Sequence, residues 1–345
     1  MSKNIGVIGA GSWGTALAIL LGGKGYNVKL WARRIEHKKQ IDAYGENTEY
    51  LPGVKIPDNV KVTNEIEEAV AKSKYIVIAV PSHCVRNIVK IIKNLLNKDS
   101  IIINVAKGIE IDSLKRMSEV IREELDDDFY YNIAVLSGPS HAEEVSRNIP
   151  TTVVVAAEKK RIAEIVQDLF ITPNFRVYTN PDIIGVELGG ALKNVIALGA
   201  GISDGLGFGD NSKAALMTRG IAEIKRLGIA MGANILTFAG LSGVGDLIVT
   251  CTSPHSRNRR AGIELGRGKS LKEILENTNM VIEGVRTTKA AYKLQKKYNV
   301  EMPITTELYK VLFEGKHPKE AVSDLMMRGR THEIEEVAIS MNWKL

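Results

Sequence analysis

The feature that most constrains the fold lies near the N-terminus, where three glycines are spaced as Gly9-x-Gly11-x-x-Gly14. They follow a short apolar run typical of a β-strand, 4–8, and precede a stretch of helical period, 15–24. In such a unit the first glycine permits a tight turn, and the second lets a pyrophosphate approach the backbone. The third lets the helix pack closely on the strand. The motif therefore predicts a dinucleotide-binding turn, with the pyrophosphate at the free N–H groups of the helix.

The same stretch has a second interpretation, because residues 5–23 carry no charge. A signal peptide or a membrane anchor is also uncharged and apolar. Six of these residues are glycine, however, and Ser12, Trp13 and Thr15 interrupt the run. We therefore expect a folded segment and no targeting sequence.

Short apolar runs and helical stretches alternate through the first half of the chain. Runs such as IVIAV and IIINVA do not alternate with polar residues, which is typical of strands covered on both faces. We predict strands at 4–8, 27–31, 75–80, 101–105, 133–136, 152–156 and 175–178, with helices such as 15–24, 86–96 and 114–125 between them. This alternation favours a mostly parallel, doubly wound sheet.

The pattern changes near residue 180, where Asn180-Pro181-Asp182 is a turn and helix-start signal. Beyond it we predict only helices, at 183–203, 213–231, 257–266, 271–277, 287–298, 304–313, 318–326 and 332–341. The predicted fold is an α/β Rossmann-like, doubly wound, mostly parallel sheet followed by an all-α C-terminal domain. We place a dinucleotide-binding domain at 1–180 and a helical substrate-binding domain at 181–345, since 345 residues suit two domains.

The net charge of +6 is spread along the chain, with basic and acidic residues mixed. Without a block of five or six like charges, a nucleic-acid surface is not expected, whereas discrete anion sites are. Cys84 and Cys251 form neither a CxxC pair nor a metal-ligand spacing, so we predict no disulfide framework and no metal site. Reduced thiols are typical of the cytoplasm.

The second predicted strand ends in Trp31-Ala32-Arg33-Arg34. An NAD-specific site commonly has a carboxylate here, which accepts hydrogen bonds from the ribose hydroxyls. Arg33 and Arg34 would instead bind a 2′-phosphate through charge-assisted hydrogen bonds. They favour NADP(H) as the cofactor, with NAD(H) also usable. The alternative is a solvated arginine pair on a loop.

Seven segments follow one another along the chain: VIGAGSWGTALA, AVPSHCVR, NVAKGIE, LSGPSHAEEV, ELGGALKNVIALGAGISDGLGFGDNSKAALMTRG, GLSGVGDLIVTCTSPHSRNR and EGVRTTKAA. They resemble the bacterial NAD(P)-dependent glycerol-3-phosphate dehydrogenase family, and the resemblance runs in order from residue 4 to at least 330. The resemblance implies a Rossmann-like domain, a helical domain and an active site between them. It implies reversible reduction of dihydroxyacetone phosphate to glycerol 3-phosphate, in the cytoplasm, for phospholipid synthesis. We expect a small-molecule substrate and a homodimer as partners. We expect neither nucleic acid nor a membrane to be bound.

Ketone reduction by hydride needs a proton donor at the carbonyl oxygen. Lys193 is a candidate, because it is the one charged residue in the apolar helical stretch GGALKNVIALGAG. Gly189 and Gly190 each cost about 1 kcal/mol relative to alanine in a helix, so they suggest close approach of another backbone or a ligand. Lys193 resembles the family's proton donor and acceptor. The alternative is a lysine that extends to the surface.

Two further residues complete the predicted reaction centre. Lys107 follows a predicted strand, and the carboxyl ends of parallel strands bind ligands. It resembles a family lysine that contacts both substrate and cofactor. Two ammonium groups near one carbonyl would lower each other's pKa. Asp246 resembles the family's substrate-site aspartate and would orient Lys193, although an aspartate in a glycine-rich loop can equally be a turn or helix cap.

Ser256, Arg257 and Asn258 resemble the family's substrate-phosphate site. Ser256 is a plausible helix N-cap, so that helix amides, the helix dipole and a guanidinium would converge on one anion. A basic residue in a first turn opposes the dipole, and a bound anion would explain it. The alternative is a basic surface loop, since Arg259 and Arg260 follow.

The resemblance alone implies the remaining contacts. Substrate contacts are Gly138 and Ser140, and cofactor contacts are Ser12, Trp13, Lys107, Ala142, Arg257, Val281 and Glu283. His83, His141 and His255 have no evident carboxylate partner from spacing and are left as ligand-pocket or cap residues. Rival interpretations are a related dehydrogenase of another hydroxy acid or sugar acid, and a non-catalytic dinucleotide sensor. A sensor would not need Lys107, Lys193 and Asp246 together.

Overall fold

The computed structural model describes residues 4–125, 129, 132–278, 280–330, 332–333, 338 and 341–343. Within them the strands are β1 (Asn4–Ile8), β2 (Asn27–Trp31), β3 (Glu46–Asn47), β4 (Leu51–Lys55), β5 (Val60–Thr63), β6 (Tyr75–Ile78), β7 (Ile101–Asn104), β8 (Ile133–Ser137), β9 (Thr151–Ala157) and β10 (Phe175–Asn180). No strand follows β10 in this described part of the chain. Among the described residues, all strands therefore lie before residue 181, as the sequence predicts.

Eight of the strands form one sheet in the order β10-β9-β8-β7-β6-β1-β2-β5, and β3 pairs with β4 separately. Every neighbouring pair of the large sheet is parallel except β8 and β9. The chain moves outward from β1 in one direction and then crosses to β6 to build the other half. This reversal places a crevice at the carboxyl ends of β1 and β6, where open α/β sheets bind ligands.

Helices cover both faces of the sheet and then continue alone. The first group is α1 (Ser12–Gly23), α2 (Ile35–Tyr44), α3 (Ile66–Val70), α4 (Val85–Ile92), α5 (Met117–Glu124), α6 (Ala142–Val145) and α7 (Lys160–Phe170). Apolar residues of α1 and α7 pack on one face, and those of α3, α4 and α5 pack on the other. The predicted doubly wound architecture is confirmed.

The second half is helical. Its helices are α8 (Ile183–Gly205), α9 (Asp210–Ala230), α10 (Asp246–Thr252), α11 (Arg257–Gly266), α12 (Leu271–Glu276), α13 (Glu283–Tyr298), α14 (Pro303–Phe313) and α15 (Pro318–Met326). They pack around α8, which is long and apolar enough to cross a membrane, but 94% of its most apolar stretch is buried inside the protein. This burial identifies α8 as the core helix of the second half.

Several predicted boundaries were wrong for local reasons. The helix predicted at 114–125 begins only at Met117, because Leu114 has a left-handed φ of 59° that no α-helix accommodates. The helix predicted at 86–96 ends at Ile92 and continues as a tighter 3₁₀ turn. The strand pair β3–β4, the edge strand β5 and helices α2, α3, α6, α7 and α10 were not predicted. The helix predicted at 332–341 lies largely outside the described residues.

Candidate active site

The turn between β1 and α1 has the geometry that its glycines predict. Gly9 has a φ of 120°, and a Cβ there would lie 2.8 Å from the carbonyl oxygen of Ala79. A Cβ on Gly14 would lie 1.9 Å from the carbonyl oxygen of Gly9, so only glycine lets α1 approach this closely. A Cβ on Gly11 would meet nothing within 4 Å, and no side chain caps α1. Open space beside uncapped helix amides fits a pyrophosphate.

Asn47, a buried residue of β3, holds this turn from the side. Its Nδ2 donates to the carbonyl oxygen of Ala10 at 2.9 Å and to Thr15 Oγ1 at 2.8 Å. Its Oδ1 lies 2.9 Å from Nε2 of His37, on α2. Asn47 was missed in the sequence because β3 is two residues long and carries no apolar pattern.

The two arginines after β2 have different surroundings. Arg34 Nη2 lies 2.5 Å from Glu49 Oε2 and 3.5 Å from the Tyr50 hydroxyl. Arg33 is exposed and makes no ion pair with a described residue. Both arginines follow the strand that ends at the crevice, but Glu49 offsets part of the charge of Arg34. Glu49 and Tyr50 carry no sequence signal that would have placed them here.

Asp246 brings the two predicted lysines together. Lys107 Nζ lies 2.7 Å from Asp246 Oδ2, and Lys193 Nζ donates to Asp246 Oδ1. Lys107 follows β7, Lys193 lies in the middle of α8, and Asp246 is the first residue of α10. Lys193 and Asp246 are both buried, so the carboxylate offsets two positive charges where water cannot. A surface position for Lys193 is therefore wrong, and Asp246 is more than a helix cap.

Burial lowers the pKa of Lys193 to about 7; Asp246 opposes this shift, and Lys107 adds to it. The expected mutual effect of the lysines is thus present at Lys193, but burial is the larger cause. Lys193 Nζ also donates to Thr250 Oγ1 at 2.7 Å. Thr250 was missed in the sequence, although its spacing of four residues from Asp246 places both on one face of a helix.

The glycines before Lys193 have the tight surroundings that were predicted. A Cβ on Gly189 would lie 2.4 Å from the carbonyl oxygen of Ser242. A Cβ on Gly190 would lie 2.6 Å from Ser137 Oγ at the end of β8. These contacts bring α8 against both the sheet and the segment before α10. The position of Lys193 between Lys107 and Asp246 depends on this approach.

Ser256 is the N-cap of α11, as predicted, because its Oγ accepts a hydrogen bond from the Arg259 amide at 3.2 Å. Arg257 is exposed, and its Nη1 donates to the carbonyl oxygen of Val281 at 3.3 Å. Arg259 is held by Asp204, with Nη2 and Oδ2 2.6 Å apart. Arg257, unlike Arg259, therefore has no ion pair among the described residues, and its guanidinium lies beside Val281, a predicted cofactor contact.

Buried amides connect α11 to the reaction centre. Asn258 Nδ2 donates to Asn194 Oδ1 at 2.8 Å, and Asn258 Oδ1 accepts from the Gly284 amide at 2.8 Å. Asn194 Nδ2 in turn donates to the carbonyl oxygen of Lys107 at 3.4 Å. Asn194 follows Lys193 directly and was missed in the sequence. The chain of amides fixes Asn258 relative to both lysines.

The loop after β8 carries the predicted glycerol contacts. Lys107 Nζ and Ser140 Oγ each donate to the carbonyl oxygen of Gly138 at 2.9 Å. Ala142 is buried against Ala16 of α1. The loop therefore joins the reaction centre to the helix that begins at the glycine turn.

The remaining predicted cofactor residues lie around the same crevice. Ser12 and Trp13 begin α1, directly after the glycine turn. Glu283 Oε1 accepts from the Ser82 amide at 2.9 Å, and its Oε2 accepts from Ser82 Oγ at 2.7 Å, which joins α13 to the segment after β6. Within the described residues, no three His, Cys, Asp or Glu side chains form a group that could hold a metal.

A dinucleotide-binding turn at a sheet crevice, together with a lysine–aspartate–lysine cluster in which Lys193 and Asp246 are buried, defines a Rossmann-type nicotinamide-dependent dehydrogenase. Two family models narrow the class. The N-terminal model of NAD-dependent glycerol-3-phosphate dehydrogenase matches residues 4–163, and the C-terminal model matches 182–323. The chain belongs to the NAD-dependent glycerol-3-phosphate dehydrogenase family, as its motifs predicted.

Proteins of similar sequence match this chain over almost its whole length. A glycerol-3-phosphate dehydrogenase, NAD(P)+, of Pelotomaculum thermopropionicum is 59% identical over 340 residues, which cover 99% of this chain and 97% of the relative. The enzyme of that name from Bacillus subtilis is 57% identical over 335 residues, 97% of each chain. The crystal structure of the Coxiella burnetii glycerol-3-phosphate dehydrogenase has a TM-score of 0.90 and 38% identity, covering 94% and 99% of the two chains. The predicted enzyme class and the NAD(P) cofactor class are confirmed.

Proposed function

We propose that this chain reduces dihydroxyacetone phosphate to sn-glycerol 3-phosphate, and catalyses the reverse oxidation, with NADPH or NADH. Family membership supports this reaction. The main structural observation in its favour is that Asp246 contacts both Lys107 and Lys193. A buried carboxylate between two lysines is suited to a reacting carbonyl that gains negative charge. The product would supply glycerophospholipid synthesis.

The nicotinamide, when bound, supplies the hydride for reduction and accepts it in oxidation. Lys193 then has one task, which is to give a proton to the carbonyl oxygen in reduction and to take it back in oxidation. A pKa of about 7 means that both forms of Lys193 are populated at neutral pH, which is the most effective value for a general acid and base.

Asp246 and Lys107 position this proton transfer. Asp246 accepts from both ammonium groups, so it limits the rotation of Lys193 and offsets the repulsion between the lysines. The ammonium of Lys107 would stabilise the alkoxide that develops on the carbonyl oxygen. Its second contact, with the Gly138 carbonyl, orients it toward the loop that carries Ser140.

The start of α11 is the proposed phosphate site. Ser256 Oγ accepts a hydrogen bond from the Arg259 amide, so the earlier amides of the first turn, those of Arg257 and Asn258, would be left for an anion beside the guanidinium of Arg257. No acidic residue lies in this first turn to compete with an anion. A phosphate there would place the carbonyl of a three-carbon substrate near the lysines, because amide hydrogen bonds tie Asn258 to Asn194 and Lys107.

Arg33 and Arg34 support a preference for NADPH. The 2′-phosphate would gain charge-assisted hydrogen bonds that NADH cannot make. Glu49 competes for Arg34 and both arginines are exposed, so the preference should be nearer tenfold than thousandfold.

We further propose that the dinucleotide-binding unit is 1–180 and that the substrate-binding unit is 181–345, since β10 ends the sheet and α8 begins the helical half. We propose a cytoplasmic enzyme without nucleic-acid or membrane partners. Exposed apolar side chains on the helical half, such as Leu236 and Ile248, support a homodimer, which light scattering after gel filtration tests.

The decisive experiment follows absorbance at 340 nm when the protein is mixed with NADPH or NADH and dihydroxyacetone phosphate. We expect NADPH oxidation that depends on the substrate, and no NADP+ reduction with 6-phosphogluconate or 3-hydroxyisobutyrate as controls. NADPH binding without turnover of any of these compounds would favour a dinucleotide sensor instead.

A further inference from the structure

His141 stands between residues proposed to bind substrate and cofactor, but the mechanism above does not use it. It is the N-cap residue of α6, between Ser140 and Ala142, and its side chain caps nothing. The centroid of its ring lies 5.8 Å from that of His255, with the planes tilted by 54°. His255 directly precedes Ser256, the cap of α11. The ring of His141 therefore extends from the loop after β8 toward the residue that precedes the proposed phosphate site.

The Nε2 atom of His141 is buried and has no hydrogen-bond partner among the described residues. An unpaired buried polar group is unfavourable, so such a group calls for a ligand or a structural reason. Burial, together with the charge of Lys193, lowers the pKa of His141, with Lys107 adding to the effect. The imidazole is therefore neutral at pH 7, when one ring nitrogen carries a proton and can donate it.

We propose that His141 positions the substrate by donating a hydrogen bond from Nε2–H to the phosphate group. This inference rests on the proposed function. The lysines and Asp246 already account for the carbonyl end, whereas the contact of His141 with His255 directs the imidazole to the start of α11. A neutral donor suits this place because a third cation beside Lys193 and Lys107 would be repelled by both. His141 is a positioning residue for binding and takes no part in the proton transfer.

The test compares His141→Phe, which keeps an aromatic ring, with His141→Gln and His141→Asn. The amide nitrogen of glutamine reaches about as far as Nε2, whereas that of asparagine reaches only as far as Nδ1. For His141→Phe we expect the KM for dihydroxyacetone phosphate to rise about tenfold. The Kd of glycerol 3-phosphate, by calorimetry with NADP+ present, should rise equally, with kcat changed less than threefold. Glutamine should restore most of the loss and asparagine should not.

Three controls make the result specific. The Kd of NADPH should be unchanged in every variant, and His317→Phe, at the start of α15, should behave as wild type. Inorganic phosphate should compete with dihydroxyacetone phosphate less well against His141→Phe, by a similar factor. An unchanged phosphate inhibition constant would overturn the proposal, since the contact would then be with another part of the substrate.

An unchanged KM in His141→Phe, or equal rescue by asparagine and glutamine, would also overturn it. If His141→Phe does not fold, the proposal is still tested by the difference in KM between His141→Gln and His141→Asn. The proposed function is tested separately, by turnover of dihydroxyacetone phosphate with the wild type. If the wild type is active and His141→Phe has no defect, only the role of His141 is rejected.

Discussion

At the scale of single residues, the site depends on a few charged groups that burial has altered. Lys193 lies in an apolar helix, where burial lowers its pKa to about 7, and Asp246, which accepts a hydrogen bond from it, opposes this shift. Arg257, in contrast, is exposed at the start of α11. We expect Lys193 and its two acceptors, Asp246 and Thr250, to govern proton transfer, and Arg257 to govern substrate binding.

Removing the Lys193 amine should abolish turnover without preventing cofactor binding. For Lys193→Ala we expect kcat to fall at least about 100-fold, the usual contribution of a general acid. The Kd of NADPH, measured by fluorescence, should change little, since no cofactor contact is assigned to this residue. Lys160→Ala, at an exposed lysine of α7, is the control. Turnover within a few-fold of wild type would remove Lys193 from the mechanism.

Thr250→Val should move the pH dependence of the reaction. Reduction needs protonated Lys193, so its rate should fall as pH rises through about 7, and oxidation should rise over the same range. Valine removes an acceptor that stabilises the ammonium, so the pKa of Lys193 should fall and both limbs should move to lower pH. The measurement is kcat/KM from pH 5.5 to 9 in each direction. Superimposable profiles would contradict this role.

Arg257→Ala should mainly impair use of the phosphorylated substrate. A lost charge-assisted hydrogen bond should cost about 1.5–3 kcal/mol in kcat/KM for dihydroxyacetone phosphate, chiefly through KM. Arg260→Ala, in the same helix turn, is the matched control and should have a small effect. If the KM of Arg257→Ala matches that of wild type, the phosphate is bound elsewhere.

At the scale of elements, we expect two short segments at the sheet edge to determine the cofactor preference. The segment from β2 to α2 presents Arg33 and Arg34, and the segment from β3 to β4 brings Glu49 against Arg34. We therefore expect the preference between NADPH and NADH to reflect the balance between these two segments. The arginines were predicted from their place after a strand, whereas the opposing Glu49 could not be, because it lies in a turn without a pattern.

The Arg33→Ala/Arg34→Ala variant should lose kcat/KM for NADPH and keep it for NADH. Glu49→Gln should have the opposite effect, raising NADPH efficiency, because it releases Arg34 to bind the 2′-phosphate. Both differences should shrink as salt concentration rises. Equal losses with both cofactors would mean that the arginines hold the fold or the adenine. A wild type that strongly prefers NADH would refute the role of the arginines outright.

At the scale of the whole molecule, buried carboxylates connect distant helices. Glu187 of α8 accepts from Arg116 and from the Ser118 amide at 2.7 Å, which joins the two halves. Glu223 of α9 accepts from the amide of Thr305 at 3.1 Å and from that of Ile304, at the start of α14. Such pairs hold the helices around α8, so their protonation should affect the stability of the entire protein.

Glu223 should make stability depend on pH. Burial raises its pKa from an ordinary 4.5 to about 7, so the folded protein keeps a proton that the unfolded chain releases. Its contribution to the unfolding free energy should therefore be full below about pH 4.5 and decline as pH rises to about 7, by up to about 3 kcal/mol. Glu223→Gln should accordingly destabilise more at pH 5 than at pH 8.

Thermal or urea unfolding at both pH values measures this difference. Glu276→Gln, at an exposed glutamate of α12, is the control and should show none. If the stability loss of Glu223→Gln is equal at pH 5 and pH 8, Glu223 is ionised throughout this range.

The sequence by itself determined the class of fold and much of the site. The glycine turn, the non-alternating strands and the change to helical period at residue 180 are local patterns, and local patterns report backbone conformation and burial directly. Motif resemblance added the residues of the reaction centre. Only the tertiary structure decided how these parts meet. Asp246 is 53 residues from Lys193 and 139 from Lys107, and no periodicity connects them. Packing between distant segments also sets the pKa of Lys193, places Glu49 against Arg34 and holds Asn47 at the glycine turn. The same packing buries Nε2 of His141 without a partner among the described residues, and only the folded chain defines it.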